Sequence, residues 1–324
     1  MSAQFKDAIT EYDVVLAYRV LLGRDPETMV LTTFGAEMQR RKMSRKELVQ
    51  GIMQSDEFKD KYDLPRNVVM RSFGGYVVYM RPEDLDIGAV IAAGAEYEPH
   101  IVNVFNEYAK LGSTVLDVGA NIGFFTMLAA SLVGAGGRVI AVEPLDKNLQ
   151  LIYLAATHNG YKHIEVLPFA AIDTTGIWAA HTTTRTSNAE VKQVDLAQKH
   201  ELFTAVRPLD SVLRDLPSLD LVKIDVAGSE PIAFAGMSQT LDRLKPVVVT
   251  QFHPQAIERN TPYNAEDYAQ MLCDYAPNVY ALTAQNNRVR CENKEDVIRC
   301  WESHNQSAGL QGELYIDLLA TPNT

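Results

Sequence analysis

The run Val115-Leu116-Asp117-Val118-Gly119-Ala120-Asn121-Ile122-Gly123 has the residue types and spacing that point most directly to chemistry. An apolar strand reaches Asp117, Gly119 lets the backbone turn tightly, and Gly123 stands where the helix predicted over Phe124–Leu132 must close on the sheet. A strand, turn and helix in that order leave backbone amides and a helix N-terminus open to a ligand. Twenty-four residues after Gly119, Glu143 closes a second apolar run, Ala141-Val142-Glu143-Pro144. A carboxylate at that position can accept both hydroxyls of a ribose. Three more residues have the chemistry for proton transfer: Lys223 and Asp225 in Val222-Lys223-Ile224-Asp225-Val226, and His253 in Thr250-Gln251-Phe252-His253-Pro254. Asp225 is a strand-end carboxylate able to accept or orient a hydroxyl proton, and His253 would be a base near neutral pH. Each also has a plainer reading: Asp225 as a cap for the helix near Glu230, His253 as an ordinary strand-end residue, and Lys223 as an ion-pair partner.

Two cofactors compete for the first motif. A dinucleotide requires G-x-G-x-x-G so that its pyrophosphate can approach the backbone. Here the glycines are spaced Gly119-x-x-x-Gly123, with Asn121 where the middle glycine would be. The charge of Asp117 suits the ammonium of a methionine moiety better than a pyrophosphate. S-adenosylmethionine is therefore favoured over NAD, with a ligand-free turn in an α/β core as the remaining alternative.

These residues need a sheet to hold them. From Ser113 short β-branched runs alternate with helical patterns: Val115–Val118, Arg138–Val142, Ile164–Phe169, Leu221–Val226 and Pro246–Phe252. That alternation predicts parallel strands with helices on both faces. Two further strands are expected at Val279–Leu282 and Glu313–Leu319, and Ile177–Ala205 reads as an irregular excursion. Its hydroxyls and amides (Thr182, Thr183, Thr184, Ser187, Asn188) either line an acceptor pocket or face solvent.

The chain has 324 residues with 30 Lys+Arg and 41 Asp+Glu, a net charge of −11, which argues against a generic nucleic-acid binder. Residues 1–66 hold eleven cations and eleven acids, so the excess of acid falls entirely beyond Arg66. This first segment is helical in pattern, with Ser44 and Glu47 spaced as a capping box, and reads as a separate module. Its run Arg40–Lys46 carries five positive charges, which fits a solvated helix junction or, alternatively, a surface for an anionic polymer or lipid headgroup. Cys273, Cys291 and Cys300 are widely spaced and odd in number, as in a reducing compartment. No Sec-type leader and no apolar run of about 20 residues is visible, so a cytoplasmic location is expected.

The ordered motifs Asp117–Gly123, Glu143-Pro144, Arg207-Pro208-Leu209-Asp210, Val222–Val226 with Gly228 and Glu230, Gly94–Pro99 and Tyr315–Leu319 together resemble the FkbM family of S-adenosylmethionine-dependent methyltransferases. The N-terminal Tyr18–Pro26 and Ser55–Phe58 are similar to DUF4214, a small helical module. The resemblance implies an α/β, Rossmann-like class I methyltransferase fold over residues 67–324. Its sheet would have seven strands in the order 3-2-1-4-5-7-6, the last antiparallel, behind a small all-helical domain at 1–66. It further implies that Asp117, Gly119, Asn121 and Gly123 hold the methionine end, Glu143 the ribose, Ala171 and Ile172 the adenine, and Glu98 the methionine amino group.

Members of the family usually read Asp-Val-Glu-Gly where this chain has Asp225-Val226-Ala227-Gly228, and tend to carry glutamate where it has Gln251. Both changes remove a carboxylate near the expected reaction centre. The resulting expectation is O-methyl transfer to a hydroxyl of a glycan, glycoconjugate or related natural product, without a metal, a nucleic-acid partner or a transmembrane segment. The alternative is a catalytically weakened or non-catalytic S-adenosylmethionine-binding protein.

Overall fold

The computed structural model describes residues 10–34, 43–61, 68–85, 87–94, 96–182, 188–193, 202–283 and 287–322. The chain divides into two compact units, Met1–Val69 and Met70–Thr324.

In the first unit, helices span Glu11–Leu22, Arg45–Gln54 and Asp56–Lys61. Thr10 with Asp13 and Ser44 with Glu47 form capping boxes that satisfy the first free amides of two of these helices. Leu21, Leu48, Ile52 and Phe58 are buried between them. Arg24 grips Glu57 through Nε and Nη2 at 2.5 and 2.7 Å, and Arg45 reaches Asp13 at 2.8 Å. Arg40, Arg41 and Lys42 of the basic run lie outside the described residues.

The second unit is built on an eight-stranded sheet: β1 (Thr114–Val118), β2 (Arg138–Val142), β3 (Ile164–Leu167), β4 (Leu221–Ile224), β5 (Val247–Phe252), β6 (Asn278–Leu282), β7 (Arg288–Cys291) and β8 (Ile316–Thr321). Across the sheet the order is 3-2-1-4-5-8-6-7. Strands β1 to β5 are parallel, and β8 runs antiparallel between β5 and β6. This is the Rossmann-like methyltransferase arrangement with one strand more than expected. The addition is β7, which pairs antiparallel with β6 at the edge and whose Arg288, Val289 and Arg290 are exposed. Two arginines in a four-residue edge strand leave no continuous apolar signal in the sequence.

Strands β1 and β4 are buried along their whole length, with Asp117 and Lys223 set among Val, Ile and Leu, as a strand covered on both faces requires. The register places Asp117 beside Lys223 and Gln251 beside Asp317. Side chains alternate along each strand, so these four share one face, the face that also carries Asp225.

The excursion expected at Ile177–Ala205 is instead largely strand. Gly176–Thr182, Ala189–Gln193, Leu202–Arg207 and Ala170–Ala171 form a separate four-stranded sheet. Its polar and small residues hid the alternation, while backbone pairing such as Trp178 with Thr204 supplies the order. Thr183, Thr184 and Ser187 lie outside the described residues.

Candidate active site

The carboxyl ends of β1, β2 and β4 open onto a cleft lined by Gly119, Asn121, Glu143, Ala171, Ile172 and Asp225, with Ala227 and Gln251 also on its wall. Gly119 sits at φ 81°, and a Cβ there would stand 1.9 Å from the Asp225 carbonyl oxygen, so only glycine fits where β1 and β4 converge. Gly123, at φ 86°, would push a Cβ to 2.9 Å from Ile152 Cγ1; its bareness lets helix Phe124–Val133 start against the sheet. Glu143 is buried with both oxygens engaged: Oε2 accepts the Asn121 amide at 2.8 Å, and Oε1 accepts Leu145 N at 2.9 Å and Asn148 Nδ2 at 3.2 Å. Burial pushes its carboxyl up to about 7, against the opposing pull of those three donors. Asn121 Nδ2 donates to Asn188 Oδ1 at 2.8 Å, tying the small sheet's connection to the motif turn.

A second group of charges lies on the same face of the sheet. Lys223 Nζ donates to Asp225 Oδ2 at 2.8 Å and stands 5.0 Å from the centre of the Phe125 ring. The surrounding carboxylates Asp225, Asp117 and Glu98 raise its pKa despite the opposing effect of burial. Asp117 is buried with Oδ2 accepting from Thr126 Oγ1 at 2.6 Å, and burial raises its carboxyl. Glu98 precedes helix Pro99–Tyr108 in a left-handed conformation, φ 43°; burial, then Asp317 and Asp225, push its carboxyl up to about 8. Tyr315 donates to Glu98 at 3.4 Å, and His100 Nε2 lies 2.7 Å from Asp317 Oδ2.

The structure thus brings together Glu98, Asp117, Lys223 and Asp225 on one side, and Gly119, Asn121, Gly123, Glu143, Ala171 and Ile172 on the other. His253, two residues beyond Gln251, stands at the N-cap position of helix Pro254–Asn260 with no side-chain capping bond; its Nδ1 is buried without a partner among the described residues, and burial lowers its pKa. Asp225 does not cap the helix after it: that turn is held by Glu230, whose Oε1 accepts Val226 N and Gly228 N. Sequence reasoning missed His100 and Asp317 as chemical groups. Alternation along β8 was the available signal for Asp317, but its neighbour in β5 depends on a register that the sequence leaves open.

Strain marks the same place. Among the described residues four non-glycines have positive φ, and three of them, Glu98, Asn121 and Ala227, stand at this site. Buried atoms without a hydrogen-bond partner among the described residues include Asp117 Oδ1, Asn121 Oδ1 and His100 Nδ1.

The methyltransferase FkbM domain matches residues 117–279, half of the chain. The chain belongs to the FkbM methyltransferase family. The domain of unknown function DUF4214 matches residues 2–62, and the protein-L-isoaspartate(D-aspartate) O-methyltransferase family matches 38–167. No curated protein matches the chain at a significant level. Among solved structures it is similar to methyltransferase FkbM from Methylobacillus flagellatus KT (18% identity, 74% of this chain and 48% of that one, TM-score 0.33). It therefore spans about half the length of that protein. An rRNA methylase from Streptococcus thermophilus (11%, 70% and 98%, TM-score 0.39) and fibrillarin from Aeropyrum pernix with natively bound S-adenosylmethionine (12%, 78% and 82%, TM-score 0.38) are also similar.

S-adenosylmethionine is the cofactor of this FkbM domain, and the residues present fit it. The orphaned Asp117 Oδ1 is an acceptor awaiting an ammonium N–H, Glu143 retains lone pairs for ribose hydroxyls, and Ala171 and Ile172 offer an apolar wall. The excess of carboxylates over Lys223 also suits a ligand carrying ammonium and sulfonium charges. Among the described residues no group of three or more His, Cys, Asp and Glu side chains is arranged to hold a metal ion, and no helix is long and apolar enough to cross a membrane.

Proposed function

We propose that this FkbM methyltransferase transfers a methyl group to a hydroxyl of a glycan, glycoconjugate or related natural product. The observation behind this reading is the Asp225 carboxylate, which faces the cleft while Lys223 holds it from below at 2.8 Å. S-adenosylmethionine would supply an electrophilic methyl carbon when bound. The chain's own contributions are alignment and proton handling. Asp117, Asn121 and the Gly119 turn bind the methionine end, Glu143 the ribose, and Ala171 and Ile172 the adenine. Asp225 orients the acceptor oxygen, and the buried Lys223 holds its Oδ2 at 2.8 Å. Glu98, within Coulombic reach of both, is the proposed partner of the methionine ammonium.

A second reading, cofactor binding with weak or no turnover, draws on Ala227 and Gln251: both line the cleft where the family usually offers carboxylates. The two readings separate in one experiment. Methyl-labelled S-adenosylmethionine is incubated with methyl glycosides and polysaccharide fractions, using the wild type and Ala227→Glu. Label in an alkali-stable ether supports O-methyl transfer; label with Ala227→Glu alone makes position 227 a lesion. Calorimetric binding of S-adenosylhomocysteine with no label from either protein favours the binding-only reading.

A further inference from the structure

On the face shared by Asp117 and Lys223, a polar row crosses the carboxyl end of the sheet. Gln251 and Asp317 are direct register partners in β5 and β8. Asp225 lies two residues beyond Lys223, whose partner is Val249, so it continues the same register toward Gln251. The row therefore reads Asp225, Gln251, Asp317, with an uncharged amide between two carboxylates. Adjacent strands lie roughly 5 Å apart, so a glutamate at 251 would be repelled from both sides. Position 251 is neutral where the chain already has a carboxylate one strand further on.

Asp317 is also equipped differently from Asp225. His100, from helix Pro99–Tyr108, meets Asp317 Oδ2 with Nε2 at 2.7 Å, and the two side chains are 15% and 11% exposed. The imidazole's other nitrogen is buried with no partner among the described residues. The charged and titratable groups around Asp317 include His100, Glu98 and Tyr97 from the helix and the turn before it, Lys223 and Asp225 from β4 and its end, and Tyr315 just before β8. Burial raises the Asp317 carboxyl, a direction that favours taking up a proton.

We propose that Asp317, held by His100, takes the acceptor's hydroxyl proton and does the work of the carboxylate that Gln251 lacks. The proposal rests on the methyltransferase reading. The acceptor oxygen forms its bond to the methyl carbon while the carbon–sulfur pair returns to sulfur, and the O–H proton passes to Asp317. Asp225, already engaged by Lys223, is left to orient the acceptor. Asp317 is the catalytic residue of the pair and His100 its positioning residue.

The test uses the full chain as wild type, Asp317→Asn and His100→Gln. Calorimetry with S-adenosylhomocysteine, labelled transfer to methyl glycosides, and ¹⁵N spectra of the His100 ring are measured on each applicable protein. The expected result for Asp317→Asn is S-adenosylhomocysteine affinity within threefold of wild type, with kcat down about 100-fold and KM within threefold. The ring, a single Nε2–H tautomer in wild type, becomes a tautomer mixture in Asp317→Asn. His100→Gln, able to donate to Asp317 but not to form an imidazolium, is expected to retain more kcat than Asp317→Asn. Transfer by Asp317→Asn within threefold of wild type overturns the proposal, as does a loss of S-adenosylhomocysteine affinity beyond tenfold, which would assign Asp317 to the cofactor. A wild type that binds S-adenosylhomocysteine yet labels no glycoside also overturns it, because Asp317 would then not replace the missing carboxylate. Failure of the wild type to bind S-adenosylhomocysteine sinks the methyltransferase reading itself.

Discussion

The two sides of this cleft, one proposed for the cofactor and one for the acceptor, are built on opposite principles. Around Glu143 both carboxylate oxygens accept protein donors, two of them backbone amides, and the shape comes from a turn within seven residues of Asp117. Around Asp225 the groups are charged side chains from β1, β4, β8 and the Glu98 turn, far apart in sequence and joined by strand register. The first side is fixed by backbone; the second is a balance of charges around one lysine. A backbone-made site should fail through steric change, and a charge-made site through change of charge.

Gly119→Ala tests the first half of that contrast most severely. A methyl group 1.9 Å from the Asp225 carbonyl at φ 81° has nowhere to go, so a loss of at least roughly 3 kcal/mol in stability is expected by denaturant unfolding, with cofactor binding abolished. On the charge side, Lys223→Met keeps the volume and removes the cation. It leaves the Asp117 and Asp225 carboxylates uncompensated, and a cost of about 3–5 kcal/mol is expected in the same measurement. If Lys223→Met costs nothing, the balance-of-charge description is wrong.

Glu143→Gln is a smaller perturbation with a pH signature. Burial raises the Glu143 and Glu230 carboxyls from 4.5 to about 7, so between those values the folded chain holds protons that the unfolded chain has released. Stability contributed by these two groups is present below about pH 4.5 and falls as pH rises toward 7. Cofactor affinity moves the other way, because an ionised Glu143 accepts ribose hydroxyls more strongly. Calorimetry from pH 6 to 8 should show S-adenosylhomocysteine binding tightening in wild type. Glu143→Gln should bind roughly tenfold more weakly at pH 8, with a flat profile. The smallest effect is expected from Asn188→Ala, which removes the 2.8 Å bond from Asn121 and should weaken cofactor binding about fivefold in the same titration.

The same division explains what could be read without coordinates. Asp117, Gly119, Asn121 and Gly123 are legible because a tight turn needs its glycines close together in sequence, and the β-branched runs announce the parallel core. Ser44 with Glu47 is legible for the same local reason, and the structure forms that box. Asp317 is not legible as chemistry, because its neighbour is Gln251, 66 positions earlier in the numbering, and that pairing exists only once β8 has been inserted. His253 is legible as a strand-end histidine for a local reason, and the structure puts it at the start of the helix that follows the strand. The small sheet is not legible, because its order comes from backbone pairing rather than an apolar pattern.

The placement of β8 also sets an order of assembly. It lies between β5 and β6, both of which precede it along the chain, so neither can find its final neighbour until residue 321 has been made. During synthesis the turn around Gly119 can form from nearby segments, while the β5 edge waits with its hydrogen-bonding groups unmatched. β6 must not dock on that edge first, since doing so would close the gap β8 needs. The segments around the Gly119 turn can therefore mature early, and the part that carries Asp317 is completed late and is the more exposed to mispairing on the ribosome.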